Sequence, residues 1–142
     1  MAAYQRLPCG TILFRAILHK DWIRDANQID WLAFQLRKED KGKVSLFTTI
    51  EAIQEELPKP TYGNISVHVG RVRDISVDGD KLDVEQDRDV HVSIVGMPDF
   101  WIEEDDKRKR KVLKNKVKNF CEDIAEKASR IHNLSELYLK NE

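Results

Sequence analysis

An arginine stands in the middle of an otherwise apolar run, Thr11 to Leu18 (TILFRAIL), and no other residue of the chain has a chemistry so out of keeping with its neighbours. A guanidinium among apolar side chains must find acceptors, because an unpaired buried charge is costly. Arg15 either holds an anion or a phosphate in a cleft, or it is structural. In the structural case it pairs with a core-facing carboxylate such as Asp40, or its head reaches solvent at an edge. Asp40 and Ser45 flank a turn through Lys41-Gly42-Lys43. That turn is no phosphate-binding loop of the P-loop kind, since it lacks the strand-to-helix glycine spacing and the Lys-Ser/Thr pair. By themselves Asp40 reads as a turn residue and Ser45 as a strand position, beside a strand expected to neighbour Arg15. His91 lies on the polar face of an alternating run, Val90 to Val95, and Ser93 points the same way two residues later. An imidazole so placed could be a general base or bind phosphate; the structural alternative is a half-exposed strand residue. Arg15, Asp40, Ser45 and His91 are therefore the candidate polar site, with their catalytic roles unassigned.

No Cys, His or carboxylate cluster shows metal-ligand spacing, so neither a metal nor a cofactor is expected. His19, His68 and His132 stand alone and read as structural. Cys9 and Cys121 are far apart and form no metal-type pair. They read as a surface thiol and a core residue, unbridged because intracellular thiols are kept reduced. The densest local charge is KRKRKVLKNKVK, Lys107 to Lys118. On a helix these cations cannot share one face, because Leu113 and Val117 must point inward. Glu103, Glu104, Asp105 and Asp106 precede them, at distances suited to i,i+4 pairing and to the positive end of a helix. A solvated helix face is the favoured reading, and a nucleic-acid footprint on Lys107, Arg108, Lys109, Arg110 and Lys111 is the alternative.

The elements that must position these residues follow from periodicity. The 142 residues suit one domain, 1–142, with a proper core. With 41% apolar and 35% charged residues and a net charge of −1, whole-molecule electrostatics favour neither nucleic acid nor membrane. No run approaches the ~18 apolar residues of a membrane span, and the N-terminus does not read as a signal peptide, so a cytoplasmic location is expected. Thr11–Leu18 reads as a central strand. Trp31–Leu36 and Val44–Phe47 are further short apolar runs. Thr48 to Glu51 reads as a capping box, with Thr48 capping a short helix through Leu57 that Pro58 and Pro60 end. Ile65–Val69 alternates, and a bulge at Gly70 is expected to shift the phase and carry the strand on toward Val77. Asp78-Gly79 is a hairpin turn signal. From about Asp105 to Ile131 the period is helical, with Leu113, Val117, Phe120, Ile124, Ala128 and Ile131 on one stripe. The tail after it could add a turn of helix. The fold class is α+β: a small twisted mixed or antiparallel sheet, one short helix, and a long C-terminal amphipathic helix packed on it.

Taken in order, the motifs resemble those of a family of small uncharacterised bacterial proteins. They are Leu13–Ala16 on the leading strand, Ala33-Phe34, Asp40 with Val44-Ser45-Leu46, Val67 to Arg73, and His91 through Pro98. The resemblance spans about residues 11 to 98 and brings no activity with it. An arginine on the first strand and a serine on a later one are also faintly similar to NAD-consuming toxins of ADP-ribosyltransferase-like fold, whose catalytic glutamate has no clear counterpart here. The favoured expectation is a small cytoplasmic binding or accessory protein with a protein partner, serving a bacterial stress or defence assembly. The alternative is a small enzyme or toxin acting on a nucleotide (NAD-like) or nucleic acid through Arg15, Asp40, Ser45 and His91.

Overall fold

The computed structural model describes residues 4–25, 28–36, 42–57, 59–98 and 106–139. In chain order it forms β1 (Ile12–Ala16), the ribbon β2 (Ile23–Asp25) and β3 (Gln28–Ile29), a 3-10 turn at Trp31–Phe34, and β4 (Val44–Phe47). Then come α1 (Ile50–Glu56), β5 (Gly63–His68), α2 (Val69–Arg73), the hairpin β6 (Ser76–Val77) and β7 (Asp80–Lys81), β8 (Asp83–Arg88) and β9 (His91–Val95). The chain closes with α3 (Lys107–Asp123), a π-helical turn at Ile124–Ala128, β10 (Ser129–Leu134) and α4 (Glu136–Leu139). Six strands make one antiparallel sheet in the order β10-β5-β1-β4-β9-β8, so the strand that is apolar on both sides is central. Among the described residues no helix is long and apolar enough to cross a membrane.

Alternation divides the sheet residues between two faces. Leu13, Leu46, Ile65, Val67, Val92 and Ile94 point inward, where Phe34, Val117, Phe120 and Ile124 complete one large core under α3. The outer face carries a smaller core: α1 lays Ala52 and Ile53 on Ala16 and Phe47, with Phe14 and Leu57 at its margin. The sheet is thus fully covered on one side and covered only in the middle on the other. The hairpin signal holds, because Asp78 (φ 53°) and Gly79 (φ 85°) both adopt the left-handed backbone that a tight turn of this hand requires. Gly63 (φ 139°) is constrained by close approach: a Cβ there would lie 2.2 Å from the carbonyl oxygen of Asn133 on β10.

Three expectations are corrected. The cap of α1 is Thr49, whose hydroxyl accepts from the Ala52 N–H at 3.1 Å, one residue later than the sequence signature placed it. Both threonines fit the cap preference, and the sequence pattern alone does not choose between them. Thr49→Ala should therefore cost about 1 kcal/mol, while Thr48→Ala should be close to silent in the same thermal melts.

Gly70 is not a bulge. The strand ends at His68, and Val69–Arg73 forms a helical turn that His68 caps by accepting from the Arg71 N–H. Turning helical, rather than shifting phase, is how the chain avoids placing Arg71 and Arg73 on an apolar face: Val69 and Val72, three apart, are the buried pair. The helical stripe holds from Leu113 to Ala128, but the helix does not reach Ile131. It widens into the π turn, where the Ser129 hydroxyl donates to the Ala125 carbonyl at 3.0 Å, and the chain leaves as β10 with Ile131 opposite Ile65. The long helix is consequently followed by an edge strand and the short helix α4, which is docked through Ser135 onto Thr61 and Tyr62.

Candidate functional site

Pairing between β1 and β4 is confined to Phe14 and Phe47. Beyond that pair the strands part, and a cavity of about 250 Å³ opens between their far ends, lined among others by Arg15, Lys43, Ser45, Glu56, Arg88 and His91. Three of the four expected site residues therefore meet. The fourth, Asp40, lies outside the described residues.

Arg15 and His91 are rooted on opposite faces. Arg15 alternates with Phe14, and Phe14 pairs with Phe47, which pairs with His91. Arg15 reaches the cavity as a clamp: its Nε donates to the Ala33 carbonyl and its Nη1 to the Ser45 carbonyl, both at 2.7 Å. The guanidinium lies over the Trp22 and Phe34 rings, 5.4 and 6.0 Å from their centroids. It ties the central strand to β4 and to the 3-10 turn while keeping its positive charge against two aromatic faces. For Ser45, the group engaged is the carbonyl.

The partners of His91 were not foreseen. Its Nδ1 lies 2.6 Å from the Asp87 carboxylate, and its ring stands edge-on to Phe47 with centroids 5.7 Å apart. Asp87 is the extra residue of a β-bulge between Gln86 and Arg88, and a bulge of this kind re-aims one side chain. Burial pushes the Asp87 carboxyl up, but the hydrogen bond and charge of His91 outweigh it, with smaller help from Arg88, and hold it below the usual range. Beside it Arg88 forks onto Glu56 at 2.6 and 3.2 Å, and that hydrogen bond lowers the Glu56 carboxyl in turn. The signal available in the sequence was local: Asp87 and His91 sit four apart across a two-residue turn, close enough to meet once β8 and β9 form a hairpin.

A second depression lies on the outer face where α1 does not reach. It measures about 460 Å³ and is lined by Ile12, Phe14, Ser66, His68, Arg71, Ala128, Ser129, Arg130 and His132. Register explains it: Arg130, Ser66 and Phe14 form one row across β10, β5 and β1. His132 is the extra residue of the bulge on β10 and turns its ring onto Phe14, 5.3 Å between centroids. Both edge strands thus carry a bulge: the extra residue of one, His132, lines this depression, and that of the other, Asp87, holds His91 at the first cavity.

No family model matches this chain, and neither does any curated protein or solved structure. What the molecule can do must be argued from its own groups. Among the described residues no three His, Cys, Asp or Glu side chains are arranged to hold a metal ion. The cysteines divide as expected into an exposed Cys9 and a buried Cys121, both unbridged. Burial pushes the Cys121 thiol up to about 12, and its sulfur donates to the Phe34 carbonyl at 3.1 Å, so it is a core group and not a nucleophile. The basic run forms the first turns of α3, where Lys107 to Lys111 and Val112 are exposed. Of the acids before it, Asp106 caps the helix through the Arg108 N–H, and Glu103 to Asp105 lie outside the described residues.

Proposed function

We propose that this domain is a binding or accessory protein that works through its surface and a protein partner rather than through a catalytic centre, in the bacterial stress or defence setting that the sequence suggested. One observation carries the reading. In the cavity where Arg15, Ser45 and His91 meet, three of the charged or titratable groups are engaged by the protein itself: Arg15 by two carbonyls and two rings, Arg88 by Glu56, His91 by Asp87. A centre built for turnover aims such groups at the place where charge develops on a reactant. Here they close the gap between β1 and β4 and fasten the end of α1 to the β8–β9 hairpin.

The second reading, a small enzyme acting on a nucleotide or nucleic acid, is favoured by the carboxylate at 2.6 Å from His91, which would orient the imidazole as a general base. His91→Ala separates the two. On the binding reading it shifts stability by about 1 kcal/mol or less, and the wild-type protein shows no turnover of NAD or RNA above buffer. Turnover by the wild type that disappears in His91→Ala, with the melting temperature unchanged, would establish the enzyme instead.

A further inference from the structure

We infer that the open half of the outer sheet face is a binding site for a nucleotide unit, with phosphate between Arg71 and Arg130 and the base over Phe14 and His132. The inference rests on the binding-module reading and supplies a ligand class for it. The charge balance of the depression differs from that of the rest of the molecule. No carboxylate is among its lining residues, while two guanidiniums are. Arg15, Arg24, Arg73 and Arg88 all donate to protein acceptors, but among the described residues the Arg71 and Arg130 side chains enter no ion pair or hydrogen bond. Acids line the two adjoining cavities, Asp74 and Asp123 in the one that shares Arg71 and Glu122 and Glu126 in the one that shares Ser129; of these, Asp123 is already paired with Lys127 at 3.4 Å and Glu122 with Lys118 at 3.9 Å.

Two planar forks facing one hollow match a phosphate, which can take parallel N–H donors from each. Two further donors stand beside them. The Ser66 hydroxyl lies in the row between Phe14 and Arg130. The His68 Nδ1 accepts from the Arg71 N–H, which leaves the proton on Nε2. The floor of the depression is apolar and aromatic: Ile12, opposite His68, is 41% exposed, and one row further on the Phe14 and His132 rings meet edge to face. A bare anion has no use for that floor, whereas a heterocyclic base stacks on such rings. The volume falls within the range of small-ligand sites. A phosphate ester bearing a base satisfies both ends at once, whether it is a free nucleotide or one unit of a single strand.

Calorimetric titration of the full chain with adenosine monophosphate, adenosine, inorganic phosphate and a short single-stranded oligonucleotide tests this. Adenosine monophosphate should bind about tenfold or more tightly than either adenosine or phosphate, since each lacks one half of the match. Arg130→Ala and Arg71→Ala, both at exposed positions, should each weaken it about tenfold or more. An oligonucleotide that binds more tightly than the mononucleotide identifies a strand as the source, and equal or weaker binding identifies the free nucleotide. Phosphate binding as tightly as the nucleotide, no binding at all, or full affinity in both arginine variants would overturn the assignment. Chemical conversion of the nucleotide during the titration would leave the site in place and remove the non-catalytic reading.

Discussion

Truncating Phe120 to alanine should destabilise the protein by about 3–5 kcal/mol, read as a fall in the urea midpoint at constant slope. Phe120 is fully buried on α3, one turn from Val117 and Ile124, and belongs to the core that also holds Phe34, Leu13 and Val67. The ring fills the space between a helix and a six-stranded sheet, two layers that cannot close over a hole without moving the backbone. Neighbouring groups fix α3 to the 3-10 turn beside the ring: Cys121 is hydrogen-bonded to the Phe34 carbonyl, and Lys118 lies over the Trp31 ring at 5.2 Å. Lys109→Ala is the control. It sits three turns earlier on an exposed face and should change stability by less than about 0.5 kcal/mol. Similar losses in the two variants would show that the apolar stripe of α3 does not face the sheet.

That stripe was legible in the sequence because a helix of this length repeats its pattern several times. Val44–Phe47 and the Asp78-Gly79 turn were legible for equally local reasons: a short apolar run bounded by turn residues, and two residues that tolerate positive φ. What escaped was decided by tertiary partners. β10 reads Ser-Arg-Ile-His-Asn-Leu, an edge strand with one face open and a bulge at His132, so neither period survives in it. Ile131 fits the continuing helical stripe and the new strand equally well. At Gly70 the sequence showed a phase conflict, and a bulge and a helical turn both resolve it; His68 decides, by capping the turn. The candidate site was half legible. Arg15 had to find acceptors, and two of them are the backbone carbonyls of Ala33 and Ser45, which a search among side chains would not locate. Asp87 was hidden because only a bulge turns it toward His91. The open depression was hidden more deeply, since its residues come from β1, β5, α2 and β10 and become neighbours only when α1 leaves that half of the sheet uncovered.

The other large effect is expected at a residue that the sequence marked only as out of phase. Arg73 lies on α2 with its side chain 9% exposed, held by Asp83 at 2.7 Å and by the Leu7 carbonyl at 2.6 Å, so that it fastens the N-terminal segment to the start of β8. One nitrogen, Nη2, is buried without a hydrogen-bond partner among the described residues, which leaves the guanidinium dependent on Asp83 for its charge balance. Asp83→Asn keeps the shape and removes the charge. Breaking a buried pair from one side costs about 3–5 kcal/mol, and since Asp83 is itself 44% exposed the loss should fall near the lower limit, about 3 kcal/mol. Glu56→Gln, at the more exposed pair with Arg88, should cost far less in the same melts. The acid limb of the stability curve gives an independent reading. Burial pushes the Asp83 carboxyl up, but the hydrogen bonds from Arg73 and the Val84 N–H, with the charges of Arg73 and Arg6, outweigh it and hold the carboxyl below its ordinary value. A carboxyl lowered in the folded state binds fewer protons there than in the unfolded chain. Its stabilisation is therefore complete above the unfolded value and is lost as the pH falls through the folded one. Wild-type stability should drop through that window, and Asp83→Asn should drop less steeply, because the remaining slope comes from other lowered carboxyls such as Asp87 and Glu56. Identical acid limbs in the two proteins would mean that Asp83 gains nothing from Arg73, and that the buried guanidinium is held by the Leu7 carbonyl, the Cys9 sulfur and its packing.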